Sequence, residues 1–267
     1  MEPNSVDLTL VEVERALVMP FVLDTPFVCV ICRAVIHEPD GSSDMCENCM
    51  ENARALDGEI TPVLPITLYT RESVMRTWLT HYKPDIDGEH GEVTSAADVC
   101  VAAITLVLSS FFDANDWLLK DVDDVLVVPS TRRPPPHPLE EVVLRTAAGR
   151  FLVTGQLTRT RNQLEHRSAS SIAYEGSEAL RGRRVLLVDD VYASGARLQS
   201  AAAATRRAGG TVTRAVVVAR RINPGYHPAI EERWNAAVEL PFRWSRQEDG
   251  STISRSSFAA PAAIDGS

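Results

Sequence analysis

Short runs of consecutive apolar residues are the clearest feature of the second half of the chain. They cover residues 124–128, 183–188 and 211–219 and are rich in β-branched side chains. Stretches with helical periodicity separate them, at residues 138–153 and 194–208. Strands that are apolar throughout and alternate with helices are typical of a parallel sheet covered on both faces. The pattern therefore predicts an α/β fold.

The first half has a more varied pattern. It predicts a short amphipathic helix at residues 6–18, a weakly alternating strand at 61–70, and helices at 73–82 and 94–112. The longest apolar stretch, residues 99–112, is shorter than the roughly 20 residues that a membrane-spanning helix needs. A buried helix is expected there, with no membrane span. Because the polar N-terminus has no secretory signal, a cytoplasmic location is expected.

These patterns suggest three parts. Residues 1–60 hold the first helix and a cysteine-rich knuckle, residues 61–221 form the main α/β domain, and residues 222–267 form a C-terminal extension. The extension contains one predicted helix at 227–237. Its end, residues 247–267, is rich in Ser, Ala and Gly and is predicted to be a disordered tail.

Charge is unevenly distributed along the chain. Between residues 131 and 221 there are 16 arginines, no lysine and 7 acids, a net charge of +9 in a chain whose total is −9. The overall negative charge argues against a general nucleic-acid coat. The basic middle suits a polyanionic small ligand or a local nucleic-acid contact. An alternative is that the protein uses arginine in place of lysine throughout. This alternative does not explain why acidic residues are so few between residues 131 and 221.

Four of the five cysteines form two close pairs. Cys29 and Cys32 are followed, after 13 intervening residues, by Cys46 and Cys49. Two such pairs can supply four thiolates in a closed tetrahedral arrangement, which suits a structural Zn²⁺ ion. Redox-active or unpaired thiols are the alternatives, and His37 is the one credible substitute ligand. A knuckle this small has almost no core, so metal binding would supply its folding free energy.

Residues 185–197 (VLLVDDVYASGAR) join a buried strand to a helix. Asp189 and Asp190 follow the apolar run, and Ser194 and Gly195 precede the helix. Ligands of parallel sheets bind at the carboxyl ends of the strands. The free N–H groups and positive dipole of a helix N-terminus favour phosphate. Adjacent carboxylates can accept hydrogen bonds from ribose hydroxyls. A plain strand ending in acids, or a receiver-domain strand, is the alternative.

This segment resembles the fingerprint of the type I phosphoribosyltransferase superfamily. That fingerprint has four hydrophobic residues, two acids, a hydrophobic residue, any residue, and then Thr-Thr-Gly-x-Thr. Here Ala193 replaces the first hydroxyl residue and Arg197 the last. The resemblance implies that Asp189 and Asp190 are catalytic and hold the ribose of phosphoribosyl pyrophosphate. It also implies a binding loop for the 5-phosphate, made of Val191, Ala193, Ser194, Gly195, Ala196 and Arg197.

The order of motifs over residues 27–221 resembles the late-competence ComF family, which joins a zinc ribbon to a phosphoribosyltransferase domain. A cysteine knuckle, a segment with Tyr and Lys at 69–83, a strand ending in Val-Pro and the acid-pair loop follow one another. The family's usual Arg-Gly-Phe-Asn-Gln stretch is replaced by a proline-rich one at 134–139. The resemblance implies further ligand-binding residues, on a pyrophosphate-side loop and a flexible segment: Ser130, Thr131, Arg132 and Arg133, then Arg159 and Arg161, with Gln163 and Arg167 beside them.

Two functions follow from these resemblances. The first is a phosphoribosyltransferase that binds phosphoribosyl pyrophosphate with Mg²⁺ and transfers the phosphoribosyl group to or from a nitrogen base. The second is a nucleotide-binding adaptor without catalysis, with the DNA-uptake machinery or single-stranded DNA as partner. The acid pair favours the first function, whereas Ala193 and Arg197 favour the second. The sequence does not indicate the acceptor base or the oligomeric state.

Overall fold

The structure is a computed structural model, and it describes residues 8–37, 44–83, 95–130, 135–161, 164 and 168–244. Several predictions fall outside these residues. They include the ligand-binding roles of Thr131, Arg132 and Arg133, the flexible-segment residues Gln163 and Arg167, and the disordered tail.

Four parallel strands form the central sheet. They are β1 (Val63–Tyr69), β2 (Asp124–Val127), β5 (Arg184–Tyr192) and β6 (Thr211–Arg221), arranged in the order β1-β6-β5-β2. The two short strands β3 (Leu157–Arg159) and β4 (Tyr174–Gly176) pair antiparallel beside it. All four predicted strands are therefore present, and the sheet is parallel as expected.

Helices cover both faces of the sheet. They are α1 (Leu10–Arg15), α2 (Glu47–Ala55), α3 (Val74–His81), α4 (Ser95–Ala114), α5 (Pro138–Leu144), α6 (Ala196–Arg207) and α7 (Pro228–Val238). Leu186 and Val188 point to one face, where they pack with α3, α4 and α5. Val185 and Leu187 point to the other, where they pack with α6 and the cysteines. This alternation confirms the predicted α/β class with its parallel sheet flanked by helices.

The helix predicted at residues 138–153 is shorter in the structure. It ends at Leu144, and a separate 3-10 turn follows at Ala147–Phe151. The Thr146 hydroxyl accepts a hydrogen bond from the Ala148 N–H and starts this second turn. A Cβ on Gly149 would lie 2.5 Å from the Leu144 carbonyl oxygen. A glycine is therefore needed where the chain turns back towards Leu144.

The apolar helix α4 is longer than the stretch that predicted it. With 20 residues it is long and apolar enough to cross a membrane, so the argument from length was wrong. Core helices have the same composition, however, and one side of α4 lies in the core. Ile104, Val107, Leu108 and Phe112 are fully buried against the helices and strands of the first face.

The N-terminal cysteine segment packs directly on the sheet. Cys29, Cys32 and Ile31 share a buried cluster with Val63 of β1 and Leu198 of α6. The C-terminal helix α7 packs against the N-terminal segment through its own small cluster. The predicted division at residues 60 and 221 remains a prediction, and buried contacts cross both of these positions.

Candidate functional site

The four paired cysteines come together in one buried group. Their Sγ atoms all lie within 4.8 Å of one another, and those of Cys32 and Cys46 are 3.6 Å apart. Thiolates bound tetrahedrally to Zn²⁺ at about 2.3 Å are about 3.8 Å apart. The donor set and its spacing thus fit a closed structural zinc site. We call residues 29–49 the cysteine knuckle.

The thiol pKa values show why this group suits a cation. Hydrogen bonds with the other three cysteines, of which the one with Cys29 has the largest effect, hold the pKa of Cys32 well below its ordinary value. Hydrogen bonds with Cys29 and Cys32 raise the pKa values of Cys46 and Cys49 well above theirs. Protein groups alone therefore do not favour ionisation of all four thiols, whereas a bound divalent metal does. His37 is not in this group, because its ring packs against Tyr226 and His227.

The predicted acid pair lies inside β5 rather than after it. Asp189 and Asp190 are each only 1% exposed. One guanidinium nitrogen of Arg197 lies 2.8 Å from Asp189 Oδ1 and 3.1 Å from Asp190 Oδ1. The other oxygen of Asp190 accepts a hydrogen bond from the Tyr82 hydroxyl at 3.0 Å and forms an ion pair with Lys83. Cations of the chain itself therefore already neutralise the pair.

The two carboxyl groups have opposite pKa shifts. Burial raises the pKa of Asp189 to about 7, against the opposing effect of Arg197. Burial acts in the same direction on Asp190, but Lys83 and Arg197 outweigh it and hold its pKa well below the ordinary range. The pair therefore takes up one proton as the pH falls through about 7.

This shift predicts a pH dependence of stability. The folded pKa of Asp189 lies above its ordinary value of 3.8, so its contribution is fully present below pH 3.8 and is lost as the pH rises through about 7. The free energy of unfolding should fall by up to about 1.4 kcal/mol per pH unit within this window. Denaturant unfolding from pH 4.5 to 8 should show this fall in the unmodified chain and a flatter profile in Asp189→Asn. Equal profiles would contradict the assignment. Asp190 has the opposite shift, so its contribution to stability is present above pH 3.8 and is lost only at lower pH.

The turn after β5 leads into α6 as predicted. We call residues 193–197 the phosphate loop. Gly195 has a φ of +88°, and a Cβ there would overlap the Tyr192 hydroxyl, so glycine is required. Gly195 is also the N-cap residue of α6, and no side chain caps the helix. The Ser194 hydroxyl lies 3.5 Å from the Ala196 nitrogen, a marginal contact.

Residues that the sequence patterns did not single out hold this loop in place by hydrogen bonds to its carbonyl groups. The fully buried Asn52 of α2 donates to the Ser194 carbonyl at 2.8 Å and accepts from the Ala169 N–H at 2.8 Å. Arg220, at the end of β6, donates to the Ala193 carbonyl at 2.6 Å. The Cys49 sulfur lies 3.7 Å from the Tyr192 hydroxyl. The knuckle and the phosphate loop therefore form one hydrogen-bonded unit.

The described residues include three more predicted ligand residues, namely Arg159, Arg161 and Ser130. Arg159, on β3, is exposed, and its charge acts on the Tyr174 phenol, as do those of Asp189 and Arg197. Arg161 is exposed in the loop after β3, and Ser130 is half-buried after β2. Burial raises the pKa of Tyr174 to about 12. Arg159 and Asp189 therefore both lie near enough to Tyr174 to shift the pKa of its phenol, in opposite directions.

Comparison with known proteins is consistent with this architecture. Residues 140–239 match the family model of the phosphoribosyl transferase domain. The matched part begins in α5 and includes β5, the phosphate loop, α6 and β6, which supports membership in the type I superfamily.

Two curated relatives share a shorter segment with the chain. They are an adenine phosphoribosyltransferase of Mycobacterium avium and one of Mycolicibacterium paratuberculosis, each 49% identical over 59 residues. That segment is 22% of this chain and 32% of each relative. The chain therefore spans about a third of the length of the curated relatives it matches.

Proposed function

We propose that this chain binds phosphoribosyl pyrophosphate or a nucleotide at its phosphate loop and transfers the phosphoribosyl group to or from a nitrogen base. One observation carries the proposal. In the region that matches the phosphoribosyl transferase family model, Asp189 and Asp190 lie in β5 directly before a loop that leads into the N-terminus of α6. This arrangement offers carboxylates for the ribose hydroxyls and backbone amides for a phosphate.

Arg197 determines how such a ligand enters. Its side chain is 27% exposed, whereas both carboxylates that it contacts are buried. We infer that the ligand replaces the guanidinium with its ribose hydroxyls, and that the released Arg197 pairs with the 5-phosphate. Arginine forms strong charge-assisted hydrogen bonds with phosphate, so the exchange conserves a paired charge. Lys83 and Tyr82 keep Asp190 in place meanwhile.

A magnesium ion in this reaction would be bound mainly by oxygen atoms of the ligand. Both carboxylates already contact Arg197, and Lys83 takes a further oxygen of Asp190. They do not form a ready-made octahedral site, and Mg²⁺ commonly binds through substrate phosphates together with few protein groups. Mg²⁺ would neutralise charge on the departing pyrophosphate, while the protein orients the ribose.

The relatives suggest which base to test first. Both are named for adenine, which makes adenine the first acceptor to assay. The matched segment covers a third of those proteins, so the acceptor specificity of this chain is a separate proposal. A panel of purine and pyrimidine bases, with pyrophosphate release as the readout, addresses it.

A non-catalytic adaptor is the second candidate, and the Arg197 bridge favours it. An acid pair that the chain neutralises itself can bind a nucleotide weakly without positioning it for transfer. The ComF-like order of motifs suggests a cytoplasmic adaptor in DNA uptake, with the uptake machinery or single-stranded DNA as partner. Binding of phosphoribosyl pyrophosphate without release of pyrophosphate for any base would support the adaptor over the transferase.

Calorimetric titration with phosphoribosyl pyrophosphate and Mg²⁺ tests the proposal. Binding to the unmodified chain should be lost when Asp189→Asn and Asp190→Asn are combined, because each amide replaces one acceptor oxygen with an NH₂ donor and removes the negative charge that strengthens hydrogen bonds from the ribose hydroxyls. The aspartates are buried ion-pair partners, so some loss of stability is expected as well, and the titration is run well below the unfolding temperature. Arg54→Gln, an exposed change on α2, is the control. Unchanged affinity in the double variant would refute the assigned role.

A further inference from the structure

A cleft of about 370 Å³ opens at the carboxyl ends of β5, β6 and β1. Its floor includes Ser194 of the phosphate loop, Arg220 and Arg221 at the end of β6, and Arg71 after β1. Asp189 and Asp190 are not among the described residues that line it. Its volume is in the range of small-molecule sites, and its position is where ligands of parallel sheets bind.

The charges in the cleft favour an anion. Arg71, Arg220 and Arg221 contribute three guanidinium groups, and Glu47 is the one acid among the described lining residues. Arg220 is buried and holds the backbone of Tyr192 and Ala193. In the described part of the chain, the side chains of Arg71 and Arg221 form no ion pair or hydrogen bond. Two cations without protein partners at one cleft are suited to an oxyanion group.

The side walls add apolar and aromatic surface. The cysteine knuckle contributes His37, and the segment after β6 contributes Tyr226 and Ile230. The rings of His37 and Tyr226 meet edge to face, with their centroids 5.1 Å apart. Tyr226 is nevertheless 60% exposed, so much of its ring is open to contact. A flat or apolar body packed against this wall would remove that surface from water.

We propose that this cleft is a second ligand site, which binds a small phosphate ester. Arg71 and Arg221 hold the phosphate, and Tyr226 packs against the body of the molecule. Asp189 and Asp190 are not among the described residues that line the cleft, so binding there does not require them. The second site goes beyond the proposed function, since it adds a binding site that transfer does not use. Because Ser194 borders the cleft, an occupant would also contact the phosphate loop.

Calorimetry with AMP as the probe tests this site on the full chain carrying Asp189→Asn and Asp190→Asn, because AMP, as a nucleotide, would otherwise also bind at the acid pair. Arg71→Gln combined with Arg221→Gln should weaken AMP binding at least ~tenfold, because two charge-assisted contacts are lost. Neither side chain has a partner among the described residues, so the fold should be unaffected, and Arg54→Gln is the matched control. Adenosine, which lacks the phosphate, should bind much more weakly than AMP. Raising the salt concentration should weaken AMP binding as well.

The acid-pair variant separates this proposal from the proposed function. Asp189→Asn combined with Asp190→Asn should lose phosphoribosyl pyrophosphate but still bind AMP in the cleft. The arginine changes on their own should leave binding of phosphoribosyl pyrophosphate intact. The second site is overturned if, in the acid-pair variant, AMP binds as tightly with the two arginine changes as without them. It is also overturned if the folded acid-pair variant loses AMP, or if a single-stranded oligonucleotide depends on the same arginines and binds more tightly than AMP. None of these results alters the test of the acid pair itself.

Discussion

Removal of metal from the four cysteines is expected to unfold the knuckle and to loosen the phosphate loop with it. A four-thiolate zinc site contributes about 10–16 kcal/mol of apparent binding free energy at neutral pH, and that free energy is coupled to folding. The purified chain should contain one equivalent of zinc. Chelation or Cys49→Ser should lower the unfolding temperature by ~10 °C or more. Metal analysis and thermal unfolding measure these two results.

The same treatment should act on the phosphate loop, because the knuckle holds it. Asn52 follows Cys49 on α2 and donates to the Ser194 carbonyl. Backbone amides near Ser194 should therefore exchange their hydrogens faster when the metal is absent, and Asn52→Ala should reproduce this effect with the metal still bound. Cys100→Ser is the control, since Cys100 lies in α4 apart from the other cysteines.

Two outcomes would contradict this view of the knuckle. One is less than about half an equivalent of zinc together with freely titratable thiols, which would leave the cysteines without a structural metal. The other is metal loss that leaves amide exchange in the phosphate loop unchanged. The second outcome would retain the zinc site but would separate it from the ligand site.

Arg197→Ala is expected to cause the second large effect, a destabilisation of about 3–5 kcal/mol at neutral pH. Removal of one partner from a buried ion pair leaves uncompensated charge, and the measured costs lie in this range. Here two adjacent carboxylates, each 1% exposed, would lose their common guanidinium. Lys83 would still compensate Asp190 but not Asp189. Denaturant unfolding of the variant and of the unmodified chain measures the difference.

The partner variants show whether this cost arises from the carboxylates. Arg197→Lys keeps the charge and should recover part of the stability, although a single ammonium bridges two carboxylates less well. Adding Asp189→Asn to Arg197→Ala should restore stability relative to Arg197→Ala alone, with a coupling of up to about 3 kcal/mol in the double-mutant cycle. Additive effects of the two changes would show that the bridge does not contribute, and the inference about ligand entry would fail with it.

Local patterns in the sequence were enough to predict the strands, the cysteine cluster and the acid-pair motif. The apolar runs that became β2, β5 and β6 predict their strands because a buried parallel strand excludes polar side chains over its whole length. The two Cys-x-x-Cys pairs predict one cluster because each pair places two sulfurs on a single turn. The motif around Asp189, Ser194 and Gly195 predicted the resemblance that the family model supports, since its residues are nearly contiguous in the chain.

Contacts between side chains that are far apart in the sequence became known from the assembled fold. Lys83 and Tyr82 reach Asp190 across more than a hundred residues of chain, and Asn52 reaches Ser194 across 142. The strand order brings Arg71 and Arg221 to one cleft, although no local motif contains both. Hydrophobic periodicity shows which face of a helix or strand is buried. It does not show which polar side chain of the neighbouring element contacts that face. The neutralised acid pair and the knuckle that holds the phosphate loop were therefore visible only once the sheet had been assembled.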